Sequence, residues 1–204
     1  IFANYARGFK SGGFNGGFLD LTDGIDPAAT PYDEEILSSY ELGLKSELAD
    51  GKVRFNATAF YYDYEGYQAL GFSGLSQFID NTDATVKGMD LELVWMPSEN
   101  IDINLGASLL DSEVGELTIQ GETINGTEMV LAPNVTLNGL IRWQATDALS
   151  FQVDFNRQGD HYFDITNSDV SKQDAYTLIG ARIGYQVTPD LQVSVFAKNL
   201  TDEE

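Results

Sequence analysis

Residues 38–68 read SSYELGLKSELADGKVRFNATAFYYDYEGYQ, and the way they alternate decides the fold class. Tyr40, Leu42, Leu44 and Leu48 share one parity while Glu41, Gly43, Lys45 and Glu47 hold the other, the period of two that sends successive side chains to opposite faces of a strand. Ala49, Asp50 and Gly51 interrupt the pattern with a turn-forming Asp-Gly pair. A second run then sets Val53, Phe55, Ala57, Ala59 and Tyr61 against Arg54, Asn56 and Thr58, so the stretch predicts a tight hairpin. Each arm is longer than the roughly five or six residues common in soluble sheets and close to the roughly 9–11 that a tilted strand needs to cross a bilayer.

The same rule recurs on both sides. An alternating segment from Phe2 to about Lys10 precedes a glycine-rich stretch that reaches Glu35. After Tyr64 the pattern lapses, so 65–83 is read as a long loop, and it resumes with Met89, Leu91, Leu93 and Trp95 before stopping near Pro97. Ile101 to Leu109, Val135 to Trp143, Phe151 to Phe155, Tyr176 to Val187 and Leu191 to Leu200 complete the series. Long, irregular stretches at Asp111–Pro133 and Gly159–Asp174 alternate with short breaks at Ser98-Glu99, Thr146-Asp147 and Pro189-Asp190. About nine strands with strictly alternating long and short connections predict an up-and-down meander, which puts every tight turn at one end and every long loop at the other. Phe55, Trp95, Trp143, Phe151 and Tyr185 fall near the short turns, and Tyr40, Tyr61, Tyr62, Tyr64, Tyr162 and Tyr176 toward the long loops, like two aromatic girdles around an apolar band of roughly 25 Å. If these are the turns, Leu48 should face Val53, and Trp95 should face Ile101.

Composition narrows the function. The chain carries 32 acidic against 11 basic residues, a net charge of -21, which excludes the basic footprint that nucleic acid requires. It has no cysteine, so thiolate metal sites and disulfides are ruled out. No apolar run is long enough for a transmembrane helix, a test to which a barrel is blind because its apolar residues alternate with polar ones.

Four segments resemble, in order, the later barrel strands of TonB-dependent receptors of bacterial outer membranes: YARGFKSGGFN (Tyr5–Asn15), PYDEEILSSYELGLKSELADGKVRFNATAFYYDYEGYQ (Pro31–Gln68), NTDATVKGMDLELVW (Asn81–Trp95) and FAKNLTDEE (Phe196–Glu204). The resemblance implies an all-β, antiparallel, up-and-down transmembrane β-barrel, present here as an incomplete wall of a barrel of about 22 strands. It further implies uptake of a large ligand such as an iron-siderophore complex, energised through TonB, from a bacterial outer membrane whose lipid the apolar parity would meet. On this reading residues 1–204 are part of one barrel domain, and the TonB box, the plug, the earlier strands and the closing strand lie outside them. The pattern is already running at Ile1, with no initiator Met and no signal peptide, as expected of a segment cut from a longer chain. The competing reading is a soluble extracellular β-rich binding module, whose apolar parity would pack against a second sheet.

Motifs of other chemistries fail on spacing. Gly12, Gly13, Gly16 and Gly17 lack the Lys and the following helix of a phosphate loop, and Asp20, Asp23 and Asp26 miss the EF-hand spacing. His161 is the sole histidine, and no nucleophile elbow or other catalytic constellation is present. The expectation is a non-enzyme without a cofactor. A large polar ligand would be held by aromatic and hydrogen-bonding side chains at the loop end and by the polar parity beneath. The candidates are Phe14, Asn15, Phe72, Phe78, His161 and Tyr162 at the loops, with Arg54, Arg142 and Arg182 along the path. The arginines suit equally a structural role, paired with Asp90, Glu92 and Asp154.

Overall fold

The computed structural model describes residues 1–15, 31–73, 76–119 and 122–203. Their alternation is realised as one antiparallel sheet of nine strands: β1 (Phe2–Lys10), β2 (Glu35–Leu48), β3 (Val53–Ser73), β4 (Ser76–Ser98), β5 (Ile101–Val114), β6 (Val135–Gln144), β7 (Leu149–Gln158), β8 (Tyr176–Thr188) and β9 (Leu191–Ala197). Each strand pairs with the one that follows it in sequence, and β1 and β9 are the open edges of a partial barrel wall. No described helix is long and apolar enough to cross a membrane.

The founding hairpin closes as the sequence requires. Leu48 faces Val53, and Asp50 and Gly51 both adopt positive φ, 54° and 84°, the backbone of a type I′ turn. The Lys52 N–H bonds the Ala49 carbonyl at 3.2 Å. The next short turn departs from expectation: Trp95 faces Ile103, and Ile101 faces Ser98 and Trp143. Pro97 has no N–H for the ladder, so the register slips between Trp95 and Ser98.

A larger correction concerns residues 65–83. They continue the strands, making β3 21 residues long and β4 23, paired up to Ser73 and Ser76. The register shifts between Tyr64 and Tyr67, where Gly66 has φ 66°. This bulge flips the parity of everything after it, which hid the strand from a search for one unbroken period. Beyond Tyr61, residues 62–73 at roughly 2.5 Å of height each carry the hairpin about 30 Å past the tyrosines. Likewise β5 runs on to Val114, inside the stretch read as loop from Asp111.

One parity forms a continuous apolar face left bare along the sheet, with Leu42 61% and Val195 72% exposed. Among the described residues no second sheet covers it, so the packing that a soluble sandwich requires is missing. Tyr5, Tyr40 and Tyr61 stand side by side across β1, β2 and β3, with ring centroids 5.1 and 6.4 Å apart. At the turn end Trp143 stacks on Phe151 at 5.5 Å. Two aromatic rows bounding an apolar band is the anatomy of a membrane wall.

Candidate functional site

The opposite parity is polar, and strand neighbours bond across it. Asn56 donates to Glu92 at 2.8 Å, and Ser108 donates to Asp90 at 2.7 Å. Arg142 and Arg182 both face Gln152, from β6 and β8. The Arg142 Nε donates to the Gln152 Oε1 at 3.3 Å, while the Arg182 guanidinium lies 5.6 Å from the Phe196 ring centroid. A cleft of about 710 Å3 opens along these residues, with Asp154 and Lys198 on its lining. Arg54 sits one residue above the first turn, opposite Glu47. Among the described residues none of the three arginines forms an ion pair with Asp90, Glu92 or Asp154. Arg54 and Arg142 lie on strands close to the short turns and Arg182 lies at mid-strand, all below the loop-end candidates.

At the loop end, the connections 115–134 and 159–175 fold down onto the polar face. Leu117 and Ile165 are buried with Ala69, Ala84 and Val114, and Tyr64, Tyr67, Ile119, Ile124 and Met129 pack around them. Burying side chains the size of Leu117 or Ile165 supplies about 1.5–3 kcal/mol each. Backbone bonds sew the same unit together: Val114 N–H to Thr127 O at 2.8 Å, Gly115 N–H to Asp83 O at 2.8 Å, and Leu131 N–H to Tyr162 O at 2.9 Å. The Asn167 amide bridges the two connections, its Nδ2 donating to the Glu128 carbonyl at 3.0 Å while its Oδ1 accepts the Glu128 N–H.

The loop-end candidates do not form one cluster. Asn15 is docked on the Ile79 backbone through both ends of its amide. Phe78 covers Gly71 across the ladder. Phe14 and Phe72 are 77% and 55% exposed. His161 is only 5% exposed, its Nδ1 lies 3.2 Å from the Gly159 carbonyl, and its ring meets Phe163 edge-on. Tyr162 lies under the Lys172 ammonium, which pairs with Asp160 at 2.7 Å. That hydrogen bond holds the Asp160 carboxyl below its ordinary pKa against a smaller opposing effect of burial. Gly16, Gly17, Asp20, Asp23 and Asp26 lie outside the described residues. Among the described residues no three His, Asp or Glu side chains converge as a metal site would require.

The model of the family described as TonB dependent receptor-like, beta-barrel, matches residues 1–200. The chain belongs to that family. It is 28% identical, over 99% of its length, to the pesticin receptor of Yersinia pestis, and spans 29% of that relative. The ferric yersiniabactin uptake receptor of Yersinia pestis superposes with a TM-score of 0.73 at 25% identity, over 98% of this chain and 29% of that one. The siderophore receptor of Acinetobacter baumannii gives 0.75 at 20% identity, over 98% and 29%, a likeness of fold. In a TonB-dependent receptor wall the apolar parity faces lipid and the polar parity faces the lumen. The inward-folded loop unit therefore stands over the lumen.

Reading by strands missed that unit. Phe72, Ile119, Glu122, Ile124 and Thr166 line a loop-end cleft of about 390 Å3, and of these only Phe72 stood among the candidates. A signal was present in LTIQGETI, residues 117–124, where Leu117 and Ile119 alternate with Thr118 and Gln120 ahead of a glycine and Ile124 follows it. The segments Leu117–Ile119 and Glu122–Ile124 pair antiparallel.

Proposed function

We propose that this chain is part of a single barrel domain of an outer-membrane active-transport receptor, which takes up a large ligand such as a ferric siderophore with energy delivered through TonB. The observation that carries the reading is the inverted sheet: a bare apolar face bounded by aromatic rows, and a polar face onto which the long connections fold. Family membership agrees with it. The relatives' roles, reception of pesticin and uptake of ferric yersiniabactin, point the same way. Because the chain spans 29% of those relatives, the TonB contact is assigned to other parts of the protein.

Within the chain, Phe14, Phe72 and Tyr162 meet the ligand at the loop end. Asn15, Phe78 and His161 hold the surrounding backbone in place, and Arg54, Arg142 and Arg182 line the lumen path below. The test is uptake of radioiron-loaded siderophores by cells carrying the full-length protein, measured with and without an uncoupler and with TonB deleted. Energised, TonB-dependent uptake is expected. Uptake indifferent to both, or a full-length protein that fractionates without detergent, would remove the reading.

A further inference from the structure

We propose that the cleft between Phe72, the paired segments Leu117–Ile119 and Glu122–Ile124, and Thr166 is a first-contact site that selects uncharged or cationic complexes presenting an apolar face, against polyanionic ones. The inference rests on the transport reading above and specifies its ligand class.

The cleft, of about 390 Å3, falls in the range of small-molecule sites, roughly 300–1,000 Å3. Ile119 and Ile124 are held from below by Leu117, Ile165 and Val114, which are almost completely buried. Three of the cleft's lining side chains are apolar, the exposed Phe72 ring together with Ile119 and Ile124. Its polar groups are acceptors. Glu122 is exposed at the lining, and the Thr166 hydroxyl spends its proton on Asp164, leaving its lone pairs toward any ligand donor. Among the described residues nothing basic lines it.

The surroundings carry the same sign. At the same end of the wall the described residues within 31–34, 65–83, 115–134 and 159–175 carry two, three, three and four Asp or Glu, against Lys172 alone. Lys172 is committed to Asp160, and the strand lysines nearest this end, Lys10 and Lys87, to Glu35 and Asp111. A concave mouth of one sign concentrates ligands of the opposite sign and repels its own. A polyanion would have to desolvate Glu122 against like charge, whereas a ring or alkyl face with an N–H or ammonium finds both walls and an acceptor.

The experiment uses the full-length receptor in lipid nanodiscs and three gallium(III) complexes as probes: a linear trihydroxamate made cationic by its free amine, an uncharged cyclic trihydroxamate, and a trianionic tricatecholate. Calorimetric titration is expected to rank them in that order. Glu122→Gln should weaken the cationic complex about fivefold, an effect that shrinks with added salt. Phe72→Ala should weaken the cationic and uncharged complexes alike, by about tenfold. If the tricatecholate binds and enters cells while the others do not, or if Glu122→Gln and Phe72→Ala alter none of them, the charge selection falls and the transport reading stands. If none binds and none is taken up, both fall. Heat-modifiable migration of each variant reports that the barrel is intact.

Discussion

The Asn15 side chain and the Ile79 backbone, 64 positions apart, exchange two hydrogen bonds: Nδ2–H to the Ile79 carbonyl at 2.8 Å, and the Ile79 N–H to Oδ1 at 2.7 Å. A side-chain amide thereby takes the place of a missing strand neighbour, fastening the end of the described part of the first connection to the projecting tip of β4. Replacing it by Ala leaves a donor and an acceptor of an edge without partners.

Asn15→Ala is accordingly expected to loosen this junction by about 1–2 kcal/mol. Amide exchange at residues 76–80 of the full-length receptor should speed up while the ladders below Tyr61 keep their protection. Asn15→Asp keeps the acceptor and loses the donor, so it should fall between. Unchanged exchange at Ile79 would show that the docking contributes nothing.

Leu117 and Ile165 come from different connections and meet in one buried cluster. Leu117→Ala should cost about 2–4 kcal/mol of local stability through the cavity it leaves. Its signature is coupling: protease should then cut 159–175 as well as 115–134, because the Asn167 bridge and the shared core join them. Cleavage confined to 115–134 would mean that the two connections fold separately.

The wall was legible because side chains on a two-faced strand must alternate, and from Tyr40 to Tyr61 they do so on either side of one Asp-Gly turn, with Ser46 and Phe60 the exceptions. Legibility ended where a local event changed the phase. Glu65 and Gly66 together oppose Asp83, so Tyr67 returns to the face of Tyr64 and a continuous strand reads as irregular sequence. At Pro97 a slip moved Trp95 from Ile101 to Ile103. The site was less legible than the wall for a different reason. Leu117 and Ile165 are made neighbours only by tertiary packing over the lumen face, and no periodicity relates residues 48 positions apart. His161 and Asn15 were found by residue type, but type does not tell a ligand contact from a group already engaged by the backbone of Gly159 or Ile79.

Asp164 gives the loop unit a pH dependence. Burial raises its carboxyl, but the Ser171 hydroxyl beside it and hydrogen bonds from the Thr166 hydroxyl and N–H outweigh it and hold the pKa below the ordinary value. A depressed folded-state pKa means stability that is present above the unfolded value of about 3.9 and is lost as pH falls from there through the folded value. Amide exchange across 159–175, corrected for its intrinsic rate, should therefore be level above pH of about 5 and accelerate below about 3.9. Asp164→Asn should flatten this profile. An acceleration that survives the substitution would assign the titration elsewhere.

Leu91 and Glu92 are adjacent on β4 and take opposite faces of the sheet, Leu91 midway between Lys87 and Trp95 on the apolar one. If that face meets lipid, Leu91→Arg places a charge near the bilayer midplane and should cost about 2–4 kcal/mol in the full-length receptor refolded into vesicles. Glu92→Gln, which retains an acceptor for Asn56, should stay within about 0.5 kcal/mol. Stability alone does not name the medium, since a charge in a protein core would cost as much, so the same two positions are also probed for accessibility. A nitroxide on Leu91→Cys should relax faster with oxygen, which concentrates in acyl chains, and one on Glu92→Cys should relax faster with a water-soluble nickel chelate. Shielding of the Leu91 label from both reagents would mean that protein covers the apolar face, and the membrane wall would have to give way to a packed second layer.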